Sequence, residues 1–241
     1  MLKFMFLGTN GSIQERDQGN TSLLFKGTQG RAVVDLSCNL ATVVREDIDA
    51  VIFTHEHIDH VYGLPSLLHQ MWLSGRKKPL VIYAPEGMHP FIDRFLDLFS
   101  LRQKNAMFQI HLCAQSQFRV GTMQFTLFPT DHTSESVGMV VQDGEDKLVY
   151  TSDTRPIREP LPEMQGAHIL IHEASGVSED EDVLIKKGHS SGRDAGRLAK
   201  ALQVSVLYLC HLPVSEKERI IQEASEYCPR TILAEPLKEL C

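Results

Sequence analysis

The segment FTHEHIDH, residues 53–60, places three histidines and two acidic residues within eight positions. It follows IDAVI, residues 48–52, whose apolar character is typical of a buried strand. Because neighbouring side chains of a strand point to opposite faces, these groups can converge only in a loop that follows the strand. Imidazoles and carboxylates are preferred ligands of Zn²⁺. The pattern H-x-H-x-D-H therefore predicts a metal site at the carboxyl end of a strand, where open α/β sheets place their sites.

Three more apolar segments finish on a histidine or an aspartate. They are FTLFPTDH, KLVYTSD and VSVLYLCH, which end at His132, Asp153 and His211. Taken singly, each of these residues could be a turn former or a helix cap. Their occurrence together with the first motif indicates one shared site. The candidate metal ligands are His55, His57, Asp59, His60, His132, Asp153 and His211.

The elements that must position these residues form runs of short strands, interrupted by helices once in each half of the chain. Strands are predicted within residues 2–54, 80–85, 108–153, 166–175, 205–210 and 231–237. Helices are predicted over residues 62–75, 88–101, 192–203 and 215–228, the last with Ser215 as its cap, and a hairpin turn is predicted at Asp143–Gly144. This order predicts an α/β protein, a four-layer αββα sandwich of two packed sheets with helices outside. With no repeat or linker, residues 1–241 are expected to form a single domain.

Net charge, apolar runs and cysteine spacing limit which partners and which cellular compartment to expect. The formal net charge of the 241 residues is −7 and no run is rich in Lys and Arg, which argues against tight nonspecific nucleic-acid binding but not against one anionic substrate at a metal. No apolar run approaches the roughly 18 residues of a membrane span, and the first residues lack the pattern of a signal peptide. The five cysteines are scattered and form no C-x-x-C pair. We therefore expect reduced thiols in a cytoplasmic protein without a membrane partner.

The combined motifs resemble those of the metallo-β-lactamase fold hydrolases, and the resemblance covers essentially the whole chain. H-x-H-x-D-H marks that superfamily. HEAS at residues 172–175 is similar to the H-E-A-T motif of its ribonuclease Z branch, and GHSSGRDAGRLA is similar to that branch's H-S-T segment. SDTRP at residues 152–156 also matches the branch around its bridging aspartate. The resemblance implies the αββα fold, a hydrolase and a homodimer.

The resemblance also implies two Zn²⁺ ions per chain. It divides the ligands into His55, His57 and His132 for the first ion, Asp59, His60 and His211 for the second, and Asp153 as the bridge between them. Because no cysteine is offered, Mn²⁺ or another divalent metal would also suit the site. Two ions about 3.5–4 Å apart can activate a water and clamp a phosphoryl oxygen. Asp59 would in addition accept a hydrogen bond from the nucleophilic water and orient it.

A phosphodiester also needs a proton donor for its leaving alkoxide. In the resembled branch the glutamate of H-E-A-T and the histidine of H-S-T pair in this role, which implies Glu173 and His189 here. A carboxylate hydrogen-bonded to one ring nitrogen would keep the imidazole charged and oriented. His189 also lies just before the helix start SSGRDAG, whose backbone N–H groups and Ser190 and Ser191 hydroxyls could bind a phosphate. His172 should face the other way and be structural. The remaining histidines are expected to be ordinary: His69, His89, His111 and His168.

One feature of the ribonuclease Z branch is missing from the sequence. Its short enzymes carry a flexible tRNA-binding arm between the third metal histidine and the bridging aspartate, whereas the segment between His132 and Asp153 is used up by a hairpin. We therefore predict a dinuclear-metal-dependent phosphodiesterase acting on a small nucleotide, a cyclic phosphate or a short RNA. The alternatives are a tRNA 3′-processing ribonuclease Z without the arm, an ester, lactone or thioester hydrolase on the same metal pair, and a regulatory protein with a residual metal site.

Overall fold

Two seven-stranded β-sheets face each other in the computed structural model, which describes residues 1–102 and 107–241. The strands are β1 Lys3–Gly8, β2 Ser22–Lys26, β3 Arg31–Val34, β4 Ala50–Ile52, β5 Leu80–Tyr83, β6 Ile110–Cys113, β7 Gln117–Val120, β8 Met123–Thr130, β9 Ser136–Asp143, β10 Asp146–Tyr150, β11 Ile169–Glu173, β12 Val206–Cys210, β13 Thr231–Leu233 and β14 Glu239–Leu240. The helices are α1 Leu40–Arg45, α2 Ile58–Val61, α3 Leu64–Leu73, α4 His89–Leu98, α5 Glu181–Lys187, α6 Gly192–Leu202 and α7 Lys217–Ser225.

Each sheet has seven strands, and both sheets mix parallel and antiparallel pairing. The first is β14-β1-β2-β3-β4-β5-β6 and the second is β13-β12-β11-β10-β9-β8-β7. In each sheet a group of parallel strands, β3 to β6 and β10 to β13, adjoins antiparallel ones. The parallel strands β4 and β12 are buried along their whole length, as expected where a sheet is covered on both faces.

The core lies between the sheets and under the helices. Aromatic side chains fill the space between the sheets, where the rings of Phe25 and Phe125 meet edge to face at 6.2 Å. Helices α1, α3 and α4 cover the first sheet, and α6 and α7 cover the second. The predicted αββα sandwich is thus confirmed. The shared interior of the two sheets supports our proposal that residues 1–241 form one domain.

The strand directions bring several loops to one edge of the sandwich. Strands β1, β3 and β4 point the same way in the first sheet, as do β8, β10, β11 and β12 in the second. The segments that hold the candidate ligands follow the carboxyl ends of β4, β8, β10 and β12. This common edge explains how ligands far apart in sequence can meet.

The structure differs from the sequence prediction in the position of one turn, the start of one helix and the presence of three short helices. The hairpin turn is Gly144-Glu145, one residue later than predicted, with Gly144 at φ 64°. Ser215 does not cap α7, because the helix begins at Lys217 after Glu216. The short helices α1, α2 and α5 were not predicted. No helix among the described residues has the length and apolar character needed to cross a membrane.

Candidate metal centre

Three ring nitrogens meet where β4 and β8 end. His57 Nδ1 lies 3.1 Å from His55 Nε2 and 3.1 Å from His132 Nε2. His55 and His57 come from the loop after β4, and His132 comes two residues after β8. Because β4 belongs to the first sheet and β8 to the second, the three nitrogens span the sandwich edge. A single cation could contact all three.

A second group forms beside the first. Asp59 Oδ2 lies 3.8 Å from His60 Nε2 and 3.5 Å from His211 Nε2. Asp59 and His60 occupy α2, directly after the first histidines, while His211 follows β12 of the other sheet. All three side chains are buried. This group has the ligand types of a second metal position.

Asp153 lies between the two groups. Its Oδ2 is 3.8 Å from His55 Nε2 and 3.9 Å from His132 Nε2 on one side, and 3.5 Å from His60 Nε2 and 3.2 Å from His211 Nε2 on the other. A carboxylate in this position can reach ions in both groups. The structure therefore brings all seven candidate residues together, and their role as ligands stays a prediction.

The buried polar atoms of the cluster fit a metal. His60 Nε2, His211 Nε2 and Asp153 Oδ1 have no hydrogen-bond partner among the residues that the structure describes. Buried polar atoms without partners are costly, and a cation would satisfy them. Burial, followed by repulsion from His60, also holds the pKa of His55 well below its usual value. A neutral imidazole offers the lone pair that ligation needs.

In four of the five histidines of the cluster, the ring nitrogen that faces away from it is held by a hydrogen bond of 3.0 Å or less. These bonds join His55 Nδ1 to Thr54 Oγ1 at 2.9 Å, His60 Nδ1 to Asp35 Oδ2 at 2.7 Å, His132 Nδ1 to the Gly188 carbonyl at 2.8 Å and His211 Nδ1 to Ser175 Oγ at 3.0 Å. Such partners fix the tautomer and orientation of a metal-ligating imidazole. Four rings are thus oriented toward the cluster before any ion binds.

Asp35 is a candidate positioning residue that the sequence analysis missed. It follows β3, is fully buried and adopts φ 56°. Its carboxylate accepts hydrogen bonds from His60 Nδ1, from Thr54 N and from Thr54 Oγ1, and the Thr54 hydroxyl in turn accepts from His55 Nδ1. One carboxylate therefore orients two of the histidines. The available signal was the same as for Asp153, an aspartate that ends an apolar strand.

We expect Asp35→Asn to weaken metal binding by about 10–100-fold, the usual effect of changing such a partner. The amide would no longer accept from all three donors, so the tautomers of His55 and His60 would be released. Zinc affinity measured by competition with a chromophoric chelator would test this. Asp49→Asn is the control, since Asp49 likewise accepts a backbone N–H bond (from Arg31, 2.7 Å) but at the opposite edge of the sheet. Equal affinities of the Asp35 variant and wild type would contradict the role.

Gly188 leaves room for a metal histidine. It adopts φ 84°, and a Cβ there would lie 2.6 Å from His132 Nδ1. We expect Gly188→Ala to displace His132 and lower the zinc content, in addition to a cost of ~1–2 kcal/mol for the left-handed backbone. Gly166→Ala is a matched control, because Gly166 has φ 74° and open space around its Cβ position. Both variants should lose thermal stability, but elemental analysis should find a zinc deficit only in the first.

Glu173 and His189 form a pair beside the ligands. Glu173, at the end of β11, is fully buried, and its Oε1 lies 3.0 Å from His189 Nδ1. Although burial opposes it, the carboxylate charge and this hydrogen bond raise the pKa of His189 to about 9. This raised pKa favours the protonated, charged form of the ring. His189 lines a cavity of about 400 Å³ together with His211 and residues of the β1–β2 loop.

The remaining sequence predictions concern the serines after His189 and the histidines outside the cluster. The hydroxyls of Ser190 and Ser191 are not available for a phosphate, because Ser190 donates to the Thr154 carbonyl at 2.7 Å and Ser191 caps α6. His172 is buried and its Nδ1 lies 2.6 Å from the Glu173 carbonyl oxygen, outside the metal cluster. The other four histidines also lie outside every candidate metal group of the described residues: His69, His89, His111 and His168.

Comparison of sequences confirms the predicted resemblance. A sequence model described as the Beta-lactamase superfamily domain matches residues 32–212. The ribonuclease Z of Methanothermobacter thermautotrophicus is 24% identical over 303 aligned positions, which cover 98% of this chain and 95% of that protein. The alignment is longer than the chain's 241 residues, so that enzyme carries segments with no counterpart here.

Comparison of structures gives the same fold. The metallo-beta-lactamase fold protein YhfI from Bacillus subtilis superposes with a TM-score of 0.81 at 22% identity, covering 99% of this chain and 98% of that one. Human tRNase Z, short form, gives 0.77 at 21% identity and covers 99% and 98%. A diphosphatase from the PhnP family gives 0.75 at 18% identity and covers 100% and 98%.

Proposed function

The chain belongs to the β-lactamase superfamily domain family, in which it is a metal-dependent hydrolase of the nuclease or phosphodiesterase kind, and we propose that its own substrate is a small phosphodiester. The proposed substrates are a small nucleotide, a cyclic phosphate or a short RNA. The proposed cofactor is a pair of Zn²⁺ ions, with Mn²⁺ or another divalent metal as a substitute. The proposed ligands are the seven residues of the cluster.

The Glu173–His189 pair is the observation that carries this proposal. When bound, the metal ions would supply an activated water and neutralise phosphoryl charge. His189, held by Glu173 at 3.0 Å through Nδ1, presents its other ring nitrogen, Nε2, for donating a proton to the leaving oxygen. Asp59 would accept a hydrogen bond from the attacking water and orient it. Acyl hydrolysis, by contrast, depends on donors to an oxyanion, and a charged imidazole paired with a buried carboxylate suits an alkoxide leaving group better.

The connection between His132 and Asp153 supports a small substrate. Strands β9 and β10, with the hairpin turn between them, occupy residues 136–150, so only short loops remain on either side. No residues are left there for an arm that could hold a folded tRNA. The cavity of about 400 Å³ beside His189 is also of the size that encloses a small molecule.

Two other functions compete with the proposed phosphodiesterase activity. A ribonuclease Z that lacks the arm is favoured by the similarity to curated ribonuclease Z proteins. An ester, lactone or thioester hydrolase would use the same metal pair but would not need His189 as a proton donor. A regulatory protein with a residual site is disfavoured, because all seven ligand positions are filled.

A substrate panel separates these functions. Purified protein loaded with Zn²⁺ or Mn²⁺ would be assayed on bis-p-nitrophenyl phosphate, cyclic nucleotides, a tRNA precursor and lactones. We expect turnover of the diester and of at least one cyclic nucleotide, and little or none of the lactones. Preference for the tRNA precursor would favour ribonuclease Z. Hydrolysis of lactones alone would overturn the phosphodiesterase proposal.

Two further proposals concern the protein in solution. We propose a homodimer, on the basis of the resemblance, and sedimentation would test it. We also propose a reducing, cytoplasmic setting. All five cysteines are unpaired in the structure, which supports the expected reduced thiols.

A further inference from the structure

Glu173 contacts more than the proton donor. Its Oε1 accepts hydrogen bonds from His189 Nδ1 at 3.0 Å and from the backbone N–H of Thr154 at 2.8 Å, and its Oε2 accepts from Ser175 Oγ at 2.6 Å. Because a backbone N–H cannot reverse its role, Thr154 fixes Oε1 as an acceptor. The second oxygen is left to face the Ser175 hydroxyl.

The distances decide where the Ser175 hydroxyl proton points. Ser175 Oγ is 2.6 Å from Glu173 Oε2 but 3.4 Å from the His211 carbonyl oxygen, its other acceptor in the described part of the chain. A short bond to a carboxylate is the stronger one, so the proton lies toward Glu173. Ser175 Oγ therefore presents a lone pair to His211 Nδ1 at 3.0 Å, and Nδ1 must carry the ring proton.

This proton position leaves the other nitrogen of His211 unprotonated. His211 Nε2 is the atom that lies 3.5 Å from Asp59 Oδ2 and 3.2 Å from Asp153 Oδ2. It has no hydrogen-bond partner among the described residues. Only the tautomer with the proton on Nδ1 can offer Nε2 to a metal ion.

We propose that Glu173 sets the tautomer of His211 through the Ser175 hydroxyl, so that one buried carboxylate positions both the proton donor and a metal ligand. Glu173 and Ser175 are then positioning residues for metal binding, although neither is among the proposed ligands. The inference rests on the proposed metal site but not on the identity of the substrate.

The isosteric change Glu173→Gln would reverse this chain of hydrogen bonds. The amide oxygen must stay on the Thr154 N–H, so the amide NH₂ would face Ser175 Oγ. The hydroxyl would then donate to His211 Nδ1, and the ring proton would move to Nε2. We expect zinc affinity, measured by competition with a chromophoric chelator, to fall by about 10–100-fold.

A double-mutant cycle on zinc affinity separates this route from a general effect of Glu173. Ser175→Ala removes the hydroxyl, so its own affinity should fall about 10-fold, and adding Glu173→Gln should then change little. Ser175→Thr keeps the hydroxyl, and the adjoining cavity leaves space for its methyl group, so it should bind zinc like wild type. Ser215→Ala is the matched control, since Ser215 lines the same cavity without a bond to Glu173 or His211.

The zinc affinities test the inference independently of the identity of the substrate. Wild-type affinity in Glu173→Gln, or an undiminished effect of that change in the Ser175→Ala background, would overturn it. If circular dichroism shows that Glu173→Gln does not fold, the Ser175→Ala and Ser175→Thr variants provide the test. Equal zinc affinities of these two variants would overturn the inference. Wild-type protein that cleaves no diester but shows the expected coupling would support the inference and overturn the proposed function.

Discussion

Asp153→Ala is expected to abolish activity and to leave purified protein with at most one zinc ion per chain. Asp153 Oδ2 is within 3.9 Å of a histidine nitrogen in both groups of proposed ligands, so its loss would remove a proposed ligand from each. It would also remove the carboxylate that lies beside His55 and His132. Because metal ions contribute several kcal/mol of transition-state stabilisation, the rate should fall by more than ~10³-fold.

Elemental analysis and a diester assay on the same preparation would test this prediction. Asp143→Ala is the control, because Asp143 is also a buried aspartate of the second sheet. Its carboxylate partners among the described residues lie in the amino-terminal region, including Thr28 N at 3.2 Å. That variant should keep its zinc. Full activity of Asp153→Ala with a retained pair of ions would contradict the bridging role.

His189→Ala is expected to damage cleavage according to the leaving group. Proton donation contributes typically 10²–10⁴-fold, and an alkoxide such as a ribose hydroxyl needs it, whereas p-nitrophenolate leaves with little help. The loss should therefore reach ~10²–10⁴-fold on a cyclic nucleotide or RNA diester and stay small on bis-p-nitrophenyl phosphate. His189 is absent from the proposed ligand set, so zinc content should be unchanged.

Glu173→Gln, assayed at saturating metal, should show the same dependence more weakly, because the imidazole remains but is less well oriented and less strongly charged. His168→Ala is a control for the loss of an imidazole, since His168 lies at the opposite edge of the sandwich, before β11. Equal losses of His189→Ala on both substrates would mean that His189 binds phosphate. No loss on either, with lactone hydrolysis present, would favour acyl chemistry.

The fold could be predicted from sequence because its strands are continuous apolar runs with clear turns. Strands β4 and β12 are buried along their length, and such runs stand out from their surroundings. Helices α1, α2 and α5 were missed because four to seven residues are too few to show a helical period. The predicted start of α7 at Ser215 is two residues too early, because Glu216 adopts a left-handed backbone with φ 71° and the helix begins only at Lys217.

The candidate site could be assembled from sequence only as far as the residue types were distinctive. Histidines at strand ends are rare enough to be noticed, whereas Asp35 lay within a predicted strand region and Ser175 was only the last residue of the HEAS motif. Their importance depends on distances of 2.7 Å to His60 and 3.0 Å to His211, which arise only when the chain folds. Likewise Ser12 donates to Asp59 at 2.9 Å from a loop 47 residues away.

The division of the proposed ligands between the two sheets would have a consequence for the lifetime of the protein. His57 and His132 meet across 75 residues of chain, and His60 and His211 come from opposite sheets. Two bound metal ions would cross-link the halves of the sandwich, as a disulfide does. Their binding free energy would add to the stability of the folded state. A chain made during metal starvation would lack this cross-link, open more often and be degraded sooner. The cellular abundance of the protein would then follow the zinc supply even at a constant rate of synthesis.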